Sequence, residues 1–426
     1  MKLWEKGIPT DQKIDIFTVG NDRDLDLVLA KYDVLGSIAH AKMLHKINIL
    51  TEKEATDLVL TLEDILTQIQ LGNFTIEDIF EDVHSKIEYL LTEKLGDTGK
   101  KIHTARSRND QVLVDIHLYL KDEISEIKKL AKALFDLLIS LSKKYENIIL
   151  PGYTHMQIAM PSSFGMWLSA YAEIVIDDMI LLDAAQKIVD QNPLGSAAGY
   201  GSSFPIDRTF TTQELEFATL KYNSVAAQMS RGKSEKTIAF AMAGLASTLS
   251  KLAMDICLYM SQNFNFISLP SHLTTGSSIM PHKKNPDVFE LIRAKCNKIQ
   301  ALPYEITLLT NNLPSGYHRD FQLLKEGLFP AIQSLKSCLE IACFSIKDIQ
   351  VNKTILDDKK YDYLFTVDSL NELVKQGIPF RDGYKIIAEQ IENGNYKPSK
   401  ETLHTHEGSI NNLCLDKIVS KMAELA

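Results

Sequence analysis

The sequence predicts an all-α protein built around a central bundle of long helices, and three observations carry that expectation. First, its 20 glycines and 13 prolines are about 8% of 426 residues, below the roughly 12% of average usage. Second, the prolines cluster: none lies between Pro9 and Pro151, between Pro205 and Pro270, or between Pro330 and Pro379. Proline breaks helix interiors, so long gaps favour long helices. Third, three segments repeat apolar residues every 3.5 positions, the spacing of a helix seam that must pack against other helices.

In chain order, residues 1–105 are expected to form an N-terminal helical domain. Its opening, Met1 to Gln12, carries charges and a proline and lacks an apolar stretch, so no signal peptide is expected. Residues 106–350 are expected to form the bundle. Its first seam is Leu120, Ile124, Ile127, Ala131, Leu134, Leu138 and Leu141. The second is Trp167, Tyr171, Ile174, Asp178, Leu181, Ala185 and Ile188, and the third Ile238, Met242, Leu245, Leu249, Leu252, Ile256 and Tyr259.

Off the third seam lie Ala239, Ala241, Ala243, Ala246 and Ala253, so that helix is expected to be buried on several sides. Helices of about thirty residues are roughly 45 Å long and need many partners. A bundle completed by other subunits is therefore expected, with a large monomeric all-α protein as the alternative. Prolines and glycines gather around 151–165, 192–205, 270–286 and 314–316, where these helices should end. Residues 351–426, more mixed and polar, are expected to form a small C-terminal domain.

Lysine and arginine total 46 against 55 acidic residues, a net charge of −9. That balance argues against nucleic acid or an anionic membrane as a partner, without excluding a locally positive pocket. The five cysteines are odd in number, scattered and free of C-x-x-C pairs, which suits a reduced, cytoplasmic protein. The longest uncharged run in the most apolar helix, Thr237 to Ser250, falls short of the ~20 residues of a membrane span. No His, Cys or carboxylate group has metal-ligand spacing, and there is no G-x-S-x-G elbow.

Four polar junctions carry candidate chemistry. Thr274 to Asp287 contains a Gly276-Ser277-Ser278 turn, then His282, Lys283 and Lys284, and ends as a helix start with Asn285 at the N-cap and Pro286 at N1. It reads either as an ordinary capped loop or as an anion-binding lid. His103 to Gln111 precedes the first seam helix. If extended, it sends Arg106 and Arg108 to one face and Ser107 and Asn109 to the other, where arginine forks suit carboxylates; a solvated cap with Asp110 paired to an arginine is the alternative. Pro151 to Gln157 places His155 among hydrogen-bonding neighbours, and Glu290, one turn into the helix after Asn285, is the carboxylate to orient it. Asn192 to Gly201 is glycine-rich but follows a helix pattern, so it fits neither a dinucleotide fingerprint nor a P-loop.

Taken together these residues resemble a known family. The Gly276–Pro286 segment is similar to the signature of the fumarase/aspartase superfamily. HTARSRNDQV (103–112), GYTHMQ (152–157), NPLGSAAG (192–199), MPHKKNPD (280–287) and RDFQ (319–322) resemble the argininosuccinate lyases within it. The likeness runs from about Asp33 to about Lys325. It implies a three-domain fumarase/aspartase-like fold and a homotetramer with a core of twenty helices and sites shared among subunits. It also implies reversible β-elimination of argininosuccinate to arginine and fumarate, without cofactor.

By the same resemblance Ser277 is the general base, Lys283 and Asn285 stabilise the doubly charged aci-carboxylate, and His155 with Glu290 donates a proton to the leaving guanidine. Ser107, Arg108, Asn109, Thr154, Tyr317, Gln322, Lys325 and Arg231 fall on substrate positions, and Gly276 is the hinge of a closing lid. The chain departs from the family at His282, a form closer to the adenylosuccinate lyases. It departs again at Ser230-Arg231-Gly232, where Arg231 lacks acidic neighbours, and near Val19 to Asp22, where no counterpart of a substrate serine stands. An adenylosuccinate lyase and a catalytically silent relative, like the lens delta-crystallins, are the competing expectations.

Overall fold

A computed structural model describes residues 11–425. The expectation about a leader at Met1 to Gln12 falls almost wholly outside them. The principal helices, in chain order, are α1 (Gln12–Val19), α2 (Asp22–Lys46), α3 (Glu52–Gln70), α4 (Val83–Leu95), α5 (Arg108–Lys144), α6 (Phe164–Val189), α7 (Lys233–Met260), α8 (Asp287–Ile299) and α9 (Leu324–Ile346). Strands among the described residues occur only as three two-stranded pairs. The longest is the antiparallel hairpin of β1 (Ile149–Thr154) and β2 (Gln157–Ser163). The all-α expectation holds.

The chain forms two compact units interleaved in sequence: one of the segments up to Ile127, Leu181–Ala243 and Ile299–Ser334, the other of Lys128–Ile180, Gly244–Lys298 and the chain from Leu335 onward. Their limits fall inside helices.

In the first unit α2, α3 and α4 enclose a core of Val34, Met43, Leu44, Leu58, Leu62, Ile87 and Leu91. Burying each such side chain contributes about 1.5–3 kcal/mol. Reciprocal capping boxes start two of these helices, Thr51 with Glu54 on α3 and Asp82 with Ser85 on α4, which satisfies amides that open helix ends leave orphaned. In the second unit the hairpin is set in aromatic rings near its turn: Tyr153 packs on Phe264 and Phe266 with centroids 5.3 and 6.3 Å away. Beside them Asp255 accepts hydrogen bonds from Trp167 Nε1 (3.1 Å) and the Tyr171 hydroxyl (2.6 Å).

The first seam is buried from Leu120 to Leu141, and the third from Ile238 to Ile256 with Ala239, Ala241, Ala246 and Ala253. Helix α7 is long and apolar enough to cross a membrane by composition, and just over half of its most apolar window is buried inside the protein. The second seam is buried at Trp167, Tyr171, Asp178 and Ala185, but Ile174 and Leu181 are each 48% exposed. Leu168, Ala172, Val175, Met179 and Leu182 are buried as well, so helix α6 is apolar on more than one side and periodicity alone does not set how much of it the chain's own core covers. Phe240 and Met254 on α7 are exposed too.

Candidate active site

The residues expected at the site fall into two sets, one in each unit. In the first unit, Ala105 turns the backbone into the left-handed region (φ 63°) and Arg108 already opens α5. The segment is therefore not extended, and its two arginines diverge. Arg106 Nη1 donates to Ser37 Oγ at 3.0 Å. Arg108 pairs with Glu81 at 3.2 Å and with Asp82, the residue that caps α4. Ser107 Oγ accepts from the Asn109 amide at 3.2 Å.

Asp110 pairs with neither arginine. Fully buried, its carboxylate accepts the amides of Ser107 (2.9 Å), Gly195 (3.0 Å) and Ala197 (2.9 Å). Burial pushes this carboxyl up, and the three amides work against that. The glycine-rich junction thus serves to lock onto the start of α5. Gly195 is required there: its φ is 84°, and a Cβ would lie 2.8 Å from Arg208 Cγ.

Arg108, Asn109, Arg231, Tyr317, Gln322 and Lys325 all line one cavity of about 260 Å³; Ser107 is not among its lining residues. Lys325 is buried between Asp26, at 2.5 Å, and Asp22. Burial alone would lower its pKa, but the two carboxylates outweigh it and raise it, so the ammonium stays charged. Arg231 finds its acid one turn on: Nε pairs with Glu235 Oε1 at 3.1 Å, while Nη2 donates to the Phe321 carbonyl at 2.8 Å. Glu235 also accepts the Gly232 amide at 2.7 Å. The acidic partner that seemed missing beside Arg231 is supplied by helical i,i+4 spacing.

Gln322 has its whole amide engaged with the protein. Nε2 donates to the carbonyls of Thr18 (3.0 Å) and Val19 (3.1 Å), and Oε1 accepts from Arg319 Nε at 3.2 Å. It holds the N-terminal wall of the cavity in place. Asp22, Asp26, Glu81, Asp82, His84 and Arg319 line the cavity too, and sequence reasoning passed over all of them. A signal existed at Glu81-Asp82-Val83-His84, where a capping aspartate opens an amphipathic helix. With four acids facing four bases besides His84, the cavity suits a ligand that carries both carboxylates and a cationic group.

Among the described residues, Asp33, His84 and Asp115 are the one group whose three donor atoms lie within 4.8 Å of one another. His84 Nδ1 hydrogen-bonds Asp33 and stands 3.8 Å from Asp115. Burial opposes the charged ring, but Asp33 and then Asp115 raise it to about 9. Within one chain these three side chains form a buried hydrogen-bond and ion-pair network.

The second unit holds the other set. The hairpin closes with Thr154 opposite Gln157, leaving His155 (φ 53°) and Met156 (φ 59°) as a two-residue turn with both residues left-handed. That turn presents Thr154 and His155 to solvent. Loop 274–287 is closed at its base: Thr275 and Asn285 exchange backbone hydrogen bonds of 2.8 and 3.4 Å, and Asn285 Nδ2 donates to the Gly276 carbonyl at 3.2 Å. Inside it Ser277 Oγ accepts the amides of Ile279 (3.3 Å) and Met280 (3.1 Å). Lys283 is exposed, and α8 begins at Asp287, one residue later than expected, with Glu290 in its first turn. His155 and Glu290 share no hydrogen bond or ion pair among the described residues of one chain.

The sequence profile of the lyase family matches residues 5–301. The chain is 57% identical to the argininosuccinate lyase of Parabacteroides distasonis, over 99% of this chain and 94% of that one. It is 56% identical to the argininosuccinate lyase of Bacteroides fragilis over the same shares. Among solved structures, an EDDS lyase variant with bound fumarate superposes with a TM-score of 0.77 at 21% identity, over 96% of this chain and 90% of that one. That last likeness concerns the fold.

Proposed function

This chain belongs to the argininosuccinate lyase family, and on that premise we propose how its residues carry out the reversible elimination of argininosuccinate to L-arginine and fumarate. It is a carbon–nitrogen lyase. Ser277 removes the proton from the succinyl carbon next to a carboxylate, and the electron pair moves into that carboxylate. The resulting aci-carboxylate carries two negative charges, which Lys283 and Asn285 stabilise. Its collapse forms the carbon–carbon double bond and breaks the carbon–nitrogen bond. His155, oriented by Glu290, protonates the departing guanidine.

The observation that carries this reading is the setting of Ser277. A free serine is a very weak base, and donors aimed at its oxygen favour the alkoxide. The Ile279 and Met280 amides are such donors, in a loop that also bears Lys283 and Asn285. Ser107, Arg108, Asn109, Thr154, Tyr317, Lys325 and Arg231 bind the substrate, and Gln322 acts by fixing Thr18 and Val19. Gly276 is the hinge on which the loop closes and excludes water.

The chains assemble as a homotetramer of three-domain protomers in the cytoplasm, each active site drawing on several of them. Support comes from the exposed apolar side chains Ile174 and Leu181 on α6 and Phe240 and Met254 on α7. The adenylosuccinate reading rested on His282, which is exposed on the loop, and nothing else favours it. The test is the release of fumarate from argininosuccinate, followed by ultraviolet absorbance with arginine quantified alongside. Equimolar products are expected. Turnover of adenylosuccinate instead, or of neither compound, overturns the proposal.

A further inference from the structure

His84 is a buried cation that the mechanism above does not use. It is 6% exposed and lines the cavity of the first unit. Its Nδ1 is committed to Asp33, with Asp115 3.8 Å away. Its other ring nitrogen, Nε2, has no hydrogen-bond partner among the described residues. Asp115 is itself buried, and neither of its carboxylate oxygens accepts a hydrogen bond. Hydrogen bonds from a charged donor are roughly twice as strong as neutral ones, so a cationic N–H left open at a cavity wall is a site for an anion.

We propose that His84 binds a substrate carboxylate in this cavity through Nε2–H, with Asp33 as its internal counter-ion. The inference rests on the lyase reading and adds to it a residue that touches the ligand. Its surroundings account for the charge. From α2 it faces Asp33 and Asp26, from α5 Asp115 and from the segment before α5 His103, while Glu81 and Asp82 lie just before its own helix begins at Val83. Burial alone would raise the Asp33 carboxyl, but the ring beside it lowers it, and this ionised partner keeps His84 an imidazolium at neutral pH; burial and then Asp33 push the Asp115 carboxyl well above the usual range. The network therefore supplies a fixed cation that needs no lysine or arginine to reach in from solvent. Two ligands offer the carboxylate: fumarate, and the amino-acid end of arginine.

Calorimetric titration of fumarate and of arginine into the full-length protein tests this without requiring turnover. His84→Asn keeps a donor toward Asp33 but removes the charge and the Nε2–H. Expected is at least tenfold weaker binding of one of the two ligands at pH 7.5, and the ligand affected identifies the carboxylate. In the wild-type protein the same binding weakens above about pH 9, and Asp33→Asn shifts that limb to lower pH. If His84→Asn fails to fold, judged by far-ultraviolet circular dichroism, the wild-type limb and its shift decide alone. Affinities within twofold of wild type for both ligands, or an alkaline limb unmoved by Asp33→Asn, overturn the proposal. Loss of fumarate release in the wild-type protein would sink the lyase reading instead, and the titrations would still be read.

Discussion

Replacing Asp110 by alanine removes a single acceptor on which three buried amides depend, those of Ser107, Gly195 and Ala197. An unsatisfied buried amide costs about 1–3 kcal/mol, and water entering the small space relieves part of that, so a loss of about 3–6 kcal/mol is expected. Asp110→Asn keeps one accepting oxygen but turns a donor toward the amides, and should cost about 1–3 kcal/mol. The functional effect follows from position. Released from Asp110, the start of α5 no longer fixes Arg108 and Asn109, so kcat/KM should fall at least tenfold even in protein that is still folded. Urea unfolding monitored by circular dichroism measures the first effect, and fumarate release well below the transition measures the second. An alanine variant within about 1 kcal/mol of wild type would refute the claim that Asp110 locks the glycine-rich junction to the helix.

Three further outcomes are expected. Gly232→Ala places a Cβ 2.7 Å from Thr310 Cγ2 at a φ of 79°; it should lower stability by about 1–3 kcal/mol, and an unchanged urea midpoint would contradict the geometry. The pKa of His84 is raised to about 9 in the folded protein, above the usual 6.5, so its contribution is fully present below pH 6.5 and is lost as pH rises through 9. That contribution is on the order of 3 kcal/mol, and unfolding at pH 6, 7.5 and 9 should show the decline. Finally, Ser277→Ala and Lys325→Met are inactivated in different units; mixed and refolded together they should regain part of the activity if sites draw on several chains, whereas no recovery at any ratio would point to sites built within one chain.

Much of the fold was legible because long helices write themselves in proline gaps and 3.5-residue spacing, as in the fully buried stripe from Leu120 to Leu141. The second stripe was legible in part: Trp167, Tyr171, Asp178 and Ala185 are buried, but α6 is apolar on two sides, and tertiary context leaves Ile174 and Leu181 uncovered by their own chain. The hairpin that carries His155 was invisible for a different reason. Its turn, Thr154-His155-Met156-Gln157, has none of the Asn or Gly that left-handed turns favour, yet both central residues adopt positive φ. Non-glycine residues in that region store about 1–3 kcal/mol each and concentrate at functional sites.

The polar motifs were found because they are local. Ser277, Lys283 and Asn285 stand within nine residues of one another, and the RSRND run is contiguous. The cavity's acids escaped because Asp22 and Glu81 acquire meaning only through partners far away in sequence, Lys325 and Arg319 among them. Arg231 looked bereft of acid until the helix brought Glu235 round to it.

The central claim is that Ser277, held by two backbone amides, takes the proton that begins the elimination. The direct measurement is steady-state cleavage of argininosuccinate by Ser277→Ala beside the wild-type enzyme. Because Ser277 lies on a loop and makes only local contacts, the variant should fold and bind substrate with KM within about threefold, while kcat falls at least a hundredfold, the loss of a base acting only in the transition state. A variant that keeps a tenth of the wild-type kcat would show that another group removes the proton.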